Sequence, residues 1–219
     1  MRADVMELPL FPLNVVLFPG QTLPLHIFEP RYRVMIQRCI EESQPFGVVL
    51  AQDDDDTAPH AIGTAARITQ VERLPDGRMN ILTVGVERFV LQNIYRGDDE
   101  YLIGDALFYP FKDDTPVPAG LLNLVISRLR RYLSQLAVQS GVKLKFDQFP
   151  NDAAAMAVFT AIALQVPLDT KQELLAMESI GELLTLEADL LKSELLMLSI
   201  MADAIKSADD NERMIFSRN

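Results

Sequence analysis

Apolar positions recur with one period in the first half of this 219-residue chain and with another in the second. Leu23, Leu25 and Ile27 alternate with Pro24 and His26, the period of two expected of a strand with one covered face. Residues 8–18 are largely apolar but include Pro9 and Pro12, which lack the N–H that a central strand donates. That segment is expected to run at a sheet edge or to bend, and Pro19-Gly20 then turns the chain. Tyr32, Met35, Ile36, Cys39 and Ile40 follow at steps of three and four, with Arg31, Arg33, Gln37, Arg38 and Glu41 between them, which predicts one short amphipathic helix. Residues 46–51 read as a buried strand. In Leu74-Pro-Asp-Gly-Arg78, proline pre-sets φ and glycine can take a positive φ, so a hairpin is expected with arms at 65–73 and 79–84. Further strands are expected near 88–95 and 101–109, separated by the Gly97-Asp98-Asp99 turn. Six or so strands with one helix suggest a small closed or nearly closed barrel, because closure removes exposed edges.

Beyond Pro118 the texture changes. Residues 1–118 hold 18 of the 23 glycines and prolines and 11 of the 16 aromatics, and the remainder is rich in Leu and Ala with few breakers. Helices are predicted over 120–139, 152–165, 171–177 and 180–206. Thr170-x-x-Glu173 and Ser179-x-x-Glu182 both fit the capping box, in which hydroxyl and carboxylate each satisfy an orphan N–H. In the last helix Leu183, Leu184, Leu186, Leu190, Leu191, Leu195, Leu198 and Met201 cover more than one side, as the anchor of a bundle would. The fold class is therefore α+β: a strand-rich domain over 1–118 and a helical one over 119–219, joined at 112–118, where two aspartates and two prolines interrupt both periods.

Composition and charge narrow the functions available. The most apolar stretch, 183–201, still carries Glu187, Asp189, Lys192 and Glu194, so no membrane span is expected. Arg2 leads into Asp4 and Glu7 rather than an apolar run, and a cytoplasmic address is expected. A net charge of −11 opposes binding to phosphate backbones, which makes nucleic acid an unfavoured partner. There is no Gly-rich phosphate loop, no nucleophile elbow and no paired-histidine metal motif, and only His26 and His60 could serve a triad, so no cofactor and no metal is expected.

Three constellations remain. Cys39 with His26 could form a thiolate pair, but Cys39 falls on the apolar stripe of its helix, where an inert buried thiol is common. Asp53 to Asp56 with His60 could hold a hard cation, yet four adjacent aspartates point in different directions and read as a solvated turn. Residues 119–146 carry Arg128, Arg130, Arg131, Lys143 and Lys145 and no carboxylate, whereas 1–118 is net −8. That basic run packs structurally or faces a partner. Arg128, Arg130, Arg131 and Lys143 are the candidate binding residues for an acidic peptide.

Leu8-Pro-Leu-Phe-Pro-Leu-Asn-Val-Val-Leu-Phe-Pro-Gly20 and Leu23-Pro-Leu-His-Ile-Phe-Glu-Pro-Arg-Tyr-Arg33 resemble the opening of the N-terminal substrate-binding domain of Lon proteases. Gly63, the Leu74 to Arg78 hairpin and Gly85-Val-Glu-Arg-Phe89 are similar to that family's glycine and arginine motifs, and Lys171-Gln-Glu-Leu-Leu175 to its Lys-Gln-x-Leu-Leu segment. The resemblance implies a PUA-like β-barrel followed by an α-helical bundle. A Lon protease continues into an ATPase module and a Ser-Lys peptidase domain, neither of which is in this sequence, so a non-catalytic, free-standing N-domain protein is expected. Within the matched motifs, Glu29 is expected to sit favourably near the exposed N–H groups that open the short helix.

The function expected is binding of unfolded polypeptide or a partner protein, connected with protein quality control or proteolysis. Such a client would lie along a strand edge or against the Met- and Leu-rich helical surface. An RNA-binding module is the alternative, on the analogy of other PUA-like barrels. A thiol enzyme built on Cys39 is a third reading, and a homo-oligomer is compatible with the sequence.

Overall fold

The computed structural model describes residues 5–52, 58–112, 116–140 and 149–216. β1 (Met6–Leu13) carries both of its prolines through the middle of a sheet rather than along an edge. It pairs antiparallel with β6 (Leu102–Phe108) over Met6 to Leu10 and parallel with β3 (Phe46–Leu50) over Leu10 to Leu13. The Leu13 carbonyl accepts the Ala51 N–H on the β3 side. Backbone polar groups alternate in direction along a strand, so odd residues of β1 face β3 and even residues face β6. Pro9 thus faces β3 before that pairing begins, and Pro12 faces β6 after that pairing has ended. Among the described residues each missing N–H falls where no strand pairs opposite, which is why the expected edge position is not needed.

The sheet order is β2-β5-β4-β3-β1-β6, where β2 is Thr22–Ile27, β4 Ile62–Arg73 and β5 Met79–Arg96, and an additional β5–β6 pairing closes five of the strands into a ring. β5 makes the closure possible. Its first part lies between β2 and β4, and residues Phe89 to Arg96 pair with β6. The sequence pattern suggests two strands here, but the chain runs through as one of 18 residues. Ala66 pairs with Gly85 and Ala65 with Glu87, so Val86 is an extra residue, and Gln92 is a second one opposite β6. Bulges increase local twist, which lets a single strand serve neighbours on both sides. Gly85 is required at the first of them: a Cβ there would lie 2.3 Å from the Phe18 carbonyl oxygen.

α1 (Pro30–Glu42) has the predicted stripe, with Tyr32, Met35, Ile36 and Cys39 buried in a core shared with Phe11, Phe46 and Ile81. Phe11 and Tyr32 stack with ring centroids 4.1 Å apart. Glu29 occupies the N-cap position, but its carboxylate makes no cap bond and instead pairs with Arg31 at 3.0 Å.

The chain forms two compact units, Met1–Lys112 with Ala161–Glu178, and Asp113–Thr160 with Ser179–Asn219. The first division lies between Lys112 and Asp113. The return of 161–178 to the strand-built unit has no counterpart in the sequence pattern, which groups all of 119–219 together. Hydrogen bonds of α4 (Leu168–Ala176) account for it. Gln172 Nε2 donates to the Ile62 carbonyl at 2.9 Å, and the buried Arg88 donates through Nη1 to the Leu175 and Met177 carbonyls, both at 2.6 Å.

The other unit holds α2 (Ala119–Ser140), α5 (Ile180–Phe216) and most of α3 (Ala153–Ala163). Asp152 precedes α3 rather than opening it, accepting the Ala155 N–H on Oδ2 at 2.8 Å. Ser179 stands at the start of α5, where the capping-box pattern places a helix start, and its carbonyl accepts the Leu183 N–H at 3.0 Å. The other capping box does not form: α4 begins at Leu168 after Pro167, which places Thr170 inside its first turn. Among the described residues no helix is long and apolar enough to cross a membrane.

Candidate peptide-binding site

β4 has 12 residues and its neighbour β3 only five. The β3 pairing covers Thr64 to Ala66, so from Arg67 to Arg73 one edge of β4 has no partner among the described residues, while β5 pairs along the other edge. Arg67 and every residue from Thr69 to Arg73 are exposed, and Ile68 is half-buried. Such an edge presents unpaired N–H and C=O groups that can template another chain. The bulge at Thr69 and the charges of Arg67, Glu72 and Arg73 blunt it against pairing with a copy of itself.

α1 runs beside this edge and makes it one wall of a groove. Cys39, Ile40 and Ser43 face Arg67, Ile68 and Val71 across a recess of about 250 Å³. A larger recess of about 700 Å³ is lined by Arg33, Val34, Gln37 and Arg38 of α1 with Arg73 and Met79 of the hairpin. Arg73 Nη1 donates to Gln37 Oε1 at 2.8 Å, tying the strand end to the helix. Arg38 donates to the Tyr101 hydroxyl at 2.7 Å and pairs with Asp99 at 3.1 Å, and these two neighbours raise its pKa further. The guanidinium groups of Arg33 and Arg67 have no hydrogen-bond or ion-pair partner among the described residues. Arg33 is positioned by Gly77, where φ is +82° and a Cβ would lie 2.1 Å from Arg33 Nη2. Glycine at that place serves both the turn and the arginine above it.

The residues singled out from the sequence are distributed differently. Arg128 donates to the Ala188 carbonyl at 2.6 Å, and Arg130 lies over the Phe149 ring at 5.4 Å. Arg131 is exposed and lines a recess with Arg128 and Lys192. Lys143 lies outside the described residues, as do Asp53 to Asp56. Among the described residues no group of three or more His, Cys, Asp or Glu is placed to hold a metal ion. Cys39 is buried, and desolvation pushes its thiol up to about 12, the opposite of what a nucleophile needs. His26 is exposed, with Nδ1 2.7 Å from Asn80 Oδ1 and its ring stacked on Phe28.

The family motifs turn out to be fastenings. Lys171 donates to the Ala161 and Ile162 carbonyls and lies over the Phe18 ring, beside the Gln172 bond to Ile62. At Gly63 a Cβ would come within 2.5 Å of the Val48 carbonyl oxygen. The family model for the ATP-dependent protease La (LON) substrate-binding domain matches residues 7–193. The chain belongs to this family. It is 23% identical over 202 residues to a Lon protease of Brevibacillus choshinensis, covering 88% of this chain and 26% of that protein. With Lon protease 1 of Thermus thermophilus it is 26% identical over 230 residues, covering 97% of this chain and 28% of the relative. The chain therefore spans about a quarter of the length of these Lon relatives.

The crystal structure of a Lon N-terminal domain protein from Xanthomonas campestris superposes with a TM-score of 0.65 at 26% identity, over 82% of this chain and 95% of that one. The N-terminal domain of a Mycobacterium avium complex Lon protease shares the fold, with a TM-score of 0.63 at 18% identity over 85% and 98% of the two chains. An α+β Lon N-domain fold, the motifs at 8–33, 74–89 and 171–175 included, is what the match covers. Sequence reasoning missed the groove. One signal was available, since a strand expected at 46–51 is too short to cover both ends of its longer neighbour.

Proposed function

We propose that this Lon-family substrate-binding domain is a non-catalytic polypeptide-binding module serving Lon-type proteolysis, in which an extended client segment adds to the outer edge of β4 beside α1. The observation that carries this reading is the unpaired edge from Arg67 to Arg73, which borders a groove rather than lying on a bare face. Strand addition takes its affinity from main-chain hydrogen bonds, so it accepts many sequences, as recognition of varied clients demands. Ile40, Ile68 and Val71 offer shallow apolar contact to alternate client side chains. The buried thiol of Cys39 and the match to a substrate-binding domain support a role without turnover. The net charge and the family match lend no support to the RNA-binding alternative.

The test uses an extended Val/Thr-rich fluorescent peptide and leaves the protein unaltered. N-methylation of one set of alternate residues should weaken binding about tenfold or more, by removing donors aimed at β4, while the other set has little effect. Hydrogen exchange should slow at 67–73 in the complex. Equal effects of both sets, or binding with no protection of β4, would overturn the proposal.

A further inference from the structure

A second surface lies on the helical unit, independent of the β4 groove. Ser127, Arg128 and Arg131 of α2 with Lys192, Leu195 and Ser199 of α5 line a recess of about 380 Å³. Among the described residues no carboxylate lines it, although the protein carries a net charge of −11. Arg128 is held by the Ala188 carbonyl, and Arg131 and Lys192 make no ion pair with any described residue. Cations that line one recess without an ion-pair partner among the described residues repel one another.

Leu196 also lines the recess, and with Met197, Ile200 and Met201 it is 57–61% exposed. Spaced i, i+1, i+4 and i+5, these four share one face of α5 and form an apolar ridge beside the cations. All four lie beyond residue 193, where the family match ends.

We propose that recess and ridge together bind an acidic amphipathic helix of another protein. Its carboxylates pair with Arg131 and Lys192, and its apolar stripe covers Leu196 and Ile200. A helix fits because its i, i+4 rows match the spacing of the ridge, and methionines adapt to varied partner side chains. A second copy is the poorer occupant. A two-fold contact through this patch would set Arg131 and Lys192 against themselves.

The experiment measures binding of a Glu/Leu amphipathic helical peptide by anisotropy, with the same peptide carrying Lys for Glu as control. The acidic peptide should bind, more weakly as salt rises, and the Lys peptide should not. The double variant Arg131→Glu with Lys192→Glu should weaken binding about tenfold or more, as should Leu196→Ser with Ile200→Ser, with the thermal midpoint unchanged because all four residues are exposed. Equal binding of both peptides, or indifference to the charge reversals, would overturn the proposal. So would self-association that disappears in the Leu196→Ser/Ile200→Ser variant while the acidic peptide fails to bind. None of these outcomes bears on β4, which the extended peptide tests separately.

Discussion

Arg88 is the buried arginine of the Gly85-Val-Glu-Arg-Phe89 motif, and its surroundings are those of a clasp. Its guanidinium lies 3.4 Å from the Phe111 ring centroid and 4.9 Å from that of Tyr109, and burial lowers its pKa to about 10. One nitrogen satisfies two carbonyls at the end of α4, groups that helix geometry leaves without partners. Arg88→Ala should lower unfolding stability in urea by about 2 kcal/mol or more, since buried carbonyls left bare cost about 1–3 kcal/mol each. Arg88→Lys should recover only part of the loss, because an ammonium cannot lie flat against the rings. Cys39 supports a second prediction. Its folded-state pKa, about 12, lies above the ordinary 9.0, so the folded chain holds the proton more tightly. The associated stability is complete below pH 9 and is lost as pH rises toward 12. Thiol reagents at pH 8 should label the protein only after denaturation, and Cys39→Ala should flatten the alkaline fall in stability. Labelling of the native protein would show the thiol to be accessible.

At the scale of elements, local chemistry was legible wherever a side chain acts within its own turn. The α1 stripe, the Leu74 to Arg78 hairpin and the Ser179 start of α5 all stand where the sequence puts them. Thr170 does not, because the motif only permits a cap and Pro167, two residues before Asp169, begins α4 a turn earlier. Ser179→Ala should therefore cost about 1 kcal/mol in thermal or urea denaturation, and Thr170→Ala only a few tenths. Equal losses would mean that the two positions are not distinguished by capping. β5 shows the opposite limit. Gly85 reads as a break between two strands when only its neighbours are considered. Its purpose is the close approach of the Phe18 carbonyl, a residue 67 positions away in sequence that no local pattern brings near. The free edge of β4 was hidden for the same reason, since strand pairing is a property of two segments.

At the scale of the whole molecule, the strand-built unit is not continuous in sequence. A fragment ending at Pro118 keeps every strand but lacks α4, leaving Arg88 without its acceptors and the Ile62 carbonyl without Gln172. It should show a broad, weakly cooperative thermal transition, followed by circular dichroism, where the full chain unfolds sharply. A sharp transition in the fragment would mean that 161–178 are dispensable to that unit. The candidate binding residues divide in a similar way. Arg131 was legible as an exposed cation in a run without carboxylates, but Lys192, 61 positions later, joins it only because α2 and α5 pack side by side. By itself the sequence determined the two periods of its apolar residues, and with them the strand-rich and helical parts, the inert thiol on an apolar stripe and the family motifs. Periodicity and turn chemistry act over a few residues, so they can be read along the chain. Tertiary structure alone decided which strand edge stays open, which carbonyls Arg88 reaches and which cations share a recess, because those depend on packing between segments far apart in sequence.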